Sequence, residues 1–248
     1  MAPNAFPTAF LYGAVSGLAL VLGAGTALRF RLRQRATARM MAFGSGILIC
    51  ALTLGLLEEA FHYGGAAAVT IGFLAGGLAF IGGDYLIHRA GGRQHRRKPW
   101  LKNERCASGQ AILLGAFLDG LPESAALGIT IFSGQGRGPL MLAAIFLSNF
   151  PEALASVAGL RRTGFRPARI LKLWGLAGIS TLAVTLLSFL FLPGLPVRWL
   201  GLIEAFAAGA ILAMLANSMM PEAYEEGGLS IGIMTVLGCL VAFLLARF

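Results

Sequence analysis

The sequence predicts an all-α polytopic membrane protein of eight transmembrane helices in one domain over residues 1–248, and three observations carry that expectation. Of 248 residues 57% are hydrophobic and only 12% charged, with mean hydropathy +0.76, against about 25% charged in a typical soluble domain. Apolar stretches of about 20 residues, enough for a hydrocarbon layer of about 30 Å, recur from end to end. The basic residues fall between those stretches instead of being spread along the chain.

Taken in order, the spans run at approximately 8–28, 40–60, 66–87, 109–132, 138–160, 169–192, 199–221 and 229–246. The run from about Thr8 lacks a basic n-region and a small-residue cleavage site, so it is expected to be retained as the first span. Arg29, Arg31, Arg33, Arg35 and Arg39 follow that span. Seven basic residues between Arg89 and Arg105 follow the third, and Arg161, Arg162, Arg166, Arg169 and Lys172 the fifth. These loops hold most of the 20 Lys and Arg and are assigned to the cytoplasm, with residues 88–108 as a basic cytoplasmic loop and both termini outside. The loop after the seventh span is inside by alternation although it carries Glu222, Glu225 and Glu226, because acidic residues contribute little to the rule. The expected location is therefore the plasma (inner) membrane, multi-pass. The net charge of +9 is attributed to the lipid bilayer's anionic inner leaflet. Nucleic acid is not expected as a partner, since no basic fold interleaved with aromatics is present. Cys50, Cys106 and Cys239 are odd in number and mostly within spans, which argues against a disulfide framework.

An internal repeat accompanies the spans. Phe43-Gly44-Ser45-Gly46 opens the second and Phe206-Ala207-Ala208-Gly209 the seventh; Glu59-Ala60-Phe61 and Glu222-Ala223-Tyr224 follow at the same offset of 163. Copies separated by an odd number of spans cross in opposite directions, which gives an inverted repeat of spans 1–3 and 6–8 with spans 4 and 5 between them.

The chemistry lies in spans 4 and 5, at Asp119-Gly120-Leu121-Pro122-Glu123-Ser124 and Ser148-Asn149-Phe150-Pro151-Glu152-Ala153. An ionised carboxylate at a membrane midplane costs about 2.5–3.5 kcal/mol on insertion scales, so three of them need compensation. Asp119 and Glu123 are four apart and Asn149 and Glu152 three apart, so each pair shares a helix face. Each proline frees the carbonyl four residues back, those of Leu118 and Leu147. With no Lys or Arg inside either span, a cage of carboxylate, amide and carbonyl oxygens with Ser124 and Ser148 within a turn suits a divalent cation. A proline kink with protonated carboxyls, or a proton relay, are the other readings of the same residues.

At these residues the chain resembles the ZIP family of metal-ion transporters, in its prokaryotic branch. That family is similar in its eight spans, outside termini, paired Pro-Glu motifs in the fourth and fifth spans, Phe-x-x-Gly starts to the second and seventh, and a basic loop after the third. The resemblance implies import of a divalent metal, with no prosthetic group, through a midplane site bridged by the motif glutamates. It also implies that spans 1, 4, 5 and 6 carry the metal against a scaffold of spans 2, 3, 7 and 8. The family's histidines are replaced here by Asp119 and Ser148, its fourth-span Asn by Gly120, and a sixth-span glutamate by Gly178. The metal ligands expected are Asp119, Glu123, Ser148, Asn149 and Glu152. Oxygen donors suit manganese, imidazole suits zinc, and iron accepts either. His62, His88 and His95 lie outside the midplane and do not restore the pattern. Glu58, Glu59 and Glu204 are placed at the outer mouth.

An enzyme is not expected, because no His-Glu-x-x-His motif and no midplane histidine base exists. A ZIP-like metal sensor or binding protein that does not transport is the alternative. The small-residue faces at Gly72, Gly76 and Gly77 permit close approach within one chain or between two, which leaves a homodimer open.

Overall fold

The computed structural model describes residues 5–30, 33–89, 109–134, 136–162, 164–192 and 194–247; His95, Cys106 and nearly all of the 88–108 loop lie outside them. The described chain is helical, without a strand. Its helices are α1 (Ala5–Arg29), α2 (Gln34–Ala51), α3 (Glu58–Arg89), α4 (Gly109–Ser133), α5 (Gly138–Arg162), α6 (Pro167–Phe191), α7 (Val197–Met214), α8 (Met220–Gly227) and α9 (Ser230–Leu245). A π-helical segment, Leu52–Leu57, joins α2 to α3, and a second, Leu215–Met219, joins α7 to α8.

Five stretches among the described residues are long and apolar enough to cross a membrane, and α9 is a shorter apolar helix. Their outward faces are greasy: Leu78, Val236 and Phe191 are about 70% exposed, at 68%, 67% and 72%. Apolar area on that scale marks a surface built for lipid. The fold is that of an all-helical, multi-pass membrane protein.

One apolar stretch, Gln34–Leu86, has 53 residues and at 1.5 Å each would be about 80 Å long, far more than one hydrocarbon layer. It breaks at Gly65, whose φ of 67° and ψ of −174° are open only to glycine. The expected gap between the second and third spans is thus a single residue: helix continues on both sides of it. Gly228, 163 residues on, ends α8 with φ 60° and ψ −147°. The π segments begin at Leu52 and Leu215, the same distance apart.

The helices pack in two groups. In the first, α1 packs on α4, α5 and α6, and α4 on α5 and α6. In the second, α3 packs on α7, and α2 on α8 and α9. Contacts of α2 with α5 and of α4 with α7 join the groups.

The seams of the second group are made of backbone. A Cβ on Gly46 would strike the Thr235 carbonyl, and one on Gly238 the Phe43 carbonyl. The α3–α7 seam has the same construction, with Gly76 against Phe206 and Gly209 against Phe73. Small residues at such places let helix axes come close where no hydrophobic drive between helices exists in lipid.

Contact pairs also give directions. Gly64 meets Gly201 and Gly76 meets Phe206, so α3 and α7 run parallel. Phe6 lies by Phe189 and Gly17 by Gly178, so α1 and α6 run antiparallel. Gly44 meets Leu147 while Gly55 accepts from Arg137, so the helix through Gly44 and Gly55 is antiparallel to α5.

Candidate metal centre

Both proline motifs stay helical: Pro122 lies inside α4 and Pro151 inside α5. The carbonyl that Pro151 leaves without an amide, that of Leu147, lies against Gly44 of α2, where any side chain would collide with it. The motif residues are sealed from solvent. Asp119 is 3% exposed, Glu123 1%, Ser148 0%, Asn149 1% and Glu152 6%.

Glu123 and Ser148 meet across the α4–α5 contact. The Ser148 hydroxyl lies 3.2 Å from both carboxylate oxygens of Glu123 and 3.0 Å from the Ile145 carbonyl. Since it owns one proton, it donates to one of them at a time. Asp119, one turn before Glu123, faces the π segment before α8, whose Ser218 hydroxyl donates to Asp119 Oδ1 at 3.4 Å. Asp119 and Glu123 are within electrostatic reach of each other.

Asn149 and Glu152 occupy a neighbouring place. They line a cavity of about 10 Å³ with Gly120, Ser124 and, from α6, Ser180 and Thr181. That is room for about one water-sized particle. The Asn149 Oδ1 atom is buried with no hydrogen-bond partner among the described residues. A buried amide oxygen in that state is an acceptor awaiting a donor or a cation.

The structure brings Ser148 to Glu123 and Ser218 to Asp119, and sets Asn149 and Glu152 together on one small cavity. Among the described residues no group of three or more His, Cys, Asp and Glu converges as a ready metal site. Ser218, Ser180 and Thr181 were not foreseen from the sequence. A hydroxyl in an apolar helix ordinarily bonds its own preceding turn, as Thr181 does to Ala177, so nothing singled these three out. His62 is exposed, its ring beside that of Tyr63.

The residues assigned to an outer mouth behave differently from solvated charges. Glu59 is 3% exposed and Glu204 0%. Ser133, at the end of α4, donates to Glu204 Oε1 at 3.0 Å. Arg137, just before α5, reaches Glu59 Oε1 at 3.3 Å, Glu58 Oε2 at 3.2 Å and the Gly55 carbonyl at 3.3 Å. Only the outermost of the three acids, Glu58, is open, with a side chain 65% exposed.

The oxygen-only character of the motif residues sets the chemistry available. Carboxylate, amide and hydroxyl oxygens hold hard or borderline divalent cations and offer no imidazole or thiolate. No protein-family model matches the chain, and no curated protein matches it.

Proposed function

We propose that this chain moves divalent metal cations, zinc or a related ion such as manganese or iron, across the plasma (inner) membrane toward the cytoplasm, as a divergent ZIP-like transporter. The observation that carries this reading is the burial of Asp119, Glu123 and Glu152 in two apolar helices whose interiors hold no Lys or Arg. Three carboxylates so placed need a positive charge, and a mobile cation is the simplest source. Ser148 and Asn149 Oδ1, which has no hydrogen-bond partner among the described residues, complete a donor set of oxygens. Glu123 and Glu152 bridge the ion in this reading, and Ser148 gives up its bond to Glu123 as the ion takes its place.

In the same reading the chain crosses the membrane eight times, with both termini outside and an inverted repeat relating spans 1–3 to 6–8. The recurrence at an offset of 163 of Phe-x-x-Gly, π segment and left-handed glycine supports that repeat. Parallel and antiparallel contacts are those that alternating crossings would produce. The group α1, α4, α5 and α6 carries the site, and the backbone seams of the other group make a stiff frame for it to move against.

The test is uptake by proteoliposomes holding the purified chain, over a panel of zinc, manganese and iron(II), with and without a proton gradient. Saturable uptake that Glu123→Gln abolishes is the expected result. Binding without uptake would instead favour a ZIP-like metal sensor. Neither binding nor uptake would remove the metal reading altogether.

A further inference from the structure

We infer that Glu59, Glu204 and Ser133 form a second divalent-cation site, separate from the midplane, which Arg137 fills as a tethered cation until a metal displaces it. The Ser133 hydroxyl lies 3.0 Å from Glu204 Oε1 and 3.1 Å from the Ile129 carbonyl, donating to one at a time, with Glu59 close by. The charge of Glu59 in turn bears on Glu204. Each keeps one oxygen, Oε2, buried without a hydrogen-bond partner among the described residues. Buried acceptors with no donor are rare and costly, so two in one cluster point to an absent positive ligand.

Charge counting gives the same result. With Glu59 and Glu204 both ionised and Arg137 shared with Glu58, the cluster is at least one positive charge short. Arg137 is held loosely: its three bonds of 3.2–3.3 Å exceed the roughly 2.7–2.9 Å of strong charge-assisted pairs. It already bonds the exposed Glu58, which can retain it when it leaves Glu59. A divalent ion then neutralises Glu59 and Glu204, with the Ser133 hydroxyl and the vacated Gly55 carbonyl as further oxygen donors. Hard, oxygen-preferring ions such as Mn²⁺ fit such a set.

The test uses the full chain in detergent with Glu123→Gln and Glu152→Gln, so that it does not depend on the midplane reading. Bound Mn²⁺ is followed by loss of the free-ion paramagnetic resonance signal, with helicity and gel-filtration profile as folding checks. Near-stoichiometric binding is expected, lost on adding Glu59→Gln and Glu204→Gln. Adding Arg137→Ala instead should tighten it by about tenfold or more, as removal of a competing charge at contact distance requires; misfolding cannot mimic that gain. The inference is overturned if the folded background binds no Mn²⁺, if Glu59→Gln with Glu204→Gln leaves binding intact, or if Arg137→Ala leaves affinity unchanged. A wild-type chain that binds no more Mn²⁺ than the background speaks against the midplane site alone.

Discussion

At the scale of the residue, the proposed recognition of a cation turns on the Ser148–Glu123 contact. In the proposed reading a hydroxyl 3.2 Å from both oxygens of a carboxylate yields to the cation that binds those oxygens, and no imidazole stands among the ligands proposed. Asp119→His together with Ser148→His adds two imidazoles, and the zinc-to-manganese uptake ratio should rise by about tenfold or more, since nitrogen ligands favour zinc along the Irving–Williams order. Equal ratios before and after, measured in the same proteoliposomes, would remove the oxygen-rich site as the cause of selectivity. The acids themselves were legible, because a charge amid apolar residues stands out and spacings of three and four fix a shared face. Ser148 was legible with them, from its place in the second motif; Ser218 was not, since helix-to-helix pairing depends on rotation about the axis, which spacing within one helix does not report. Glu59 and Glu204 were legible as charges at helix ends but not as buried ones, because the partners that meet them there, Ser133 and Arg137, lie far away in sequence.

At the scale of the element, glycines separate into those that touch backbone and those that touch nothing. Gly46→Ala places a methyl group on the Thr235 carbonyl and should destabilise the protein by about 1–3 kcal/mol or more, the usual cost of overpacking. Gly175→Ala, where nothing lies within 4 Å of the added carbon, should stabilise α6 by up to about 1 kcal/mol. Denaturant unfolding of the two variants, followed by helicity, should show shifts of opposite sign. Shifts of the same sign would mean that the α2–α9 seam is not closed as described. Helix positions were readable from hydropathy to within a few residues for most spans, as for α9 at Ser230–Leu245. The π segments were invisible to hydropathy, which is blind to one extra residue in a turn. Such insertions recur at functional sites, and here one carries Ser218 to Asp119.

At the scale of the molecule, two helix groups meet along α2–α5 and α4–α7. If the site-bearing group moves as a body, a cysteine pair joining α2 to α5 should stop uptake when cross-linked. Coupling the native Cys50 and Cys239, whose side chains already touch within one group, should leave uptake unchanged. Full uptake with α2 tied to α5 would exclude rigid-body motion and leave local gates. The pairing of helices inside the second group has a different consequence. Neither α2 nor α3 seals against the other: α2 closes on α9, and α3 on α7, so the early and late parts of the chain are interleaved like clasped fingers. A chain severed between Arg89 and Gly109 should thus yield two fragments that are each degraded when expressed alone. Made together in one cell, they should find one another and co-purify, because every glycine seam of the frame is an agreement between the two pieces. Recovery of the first fragment as a stable species by itself would show that the clasp is dispensable.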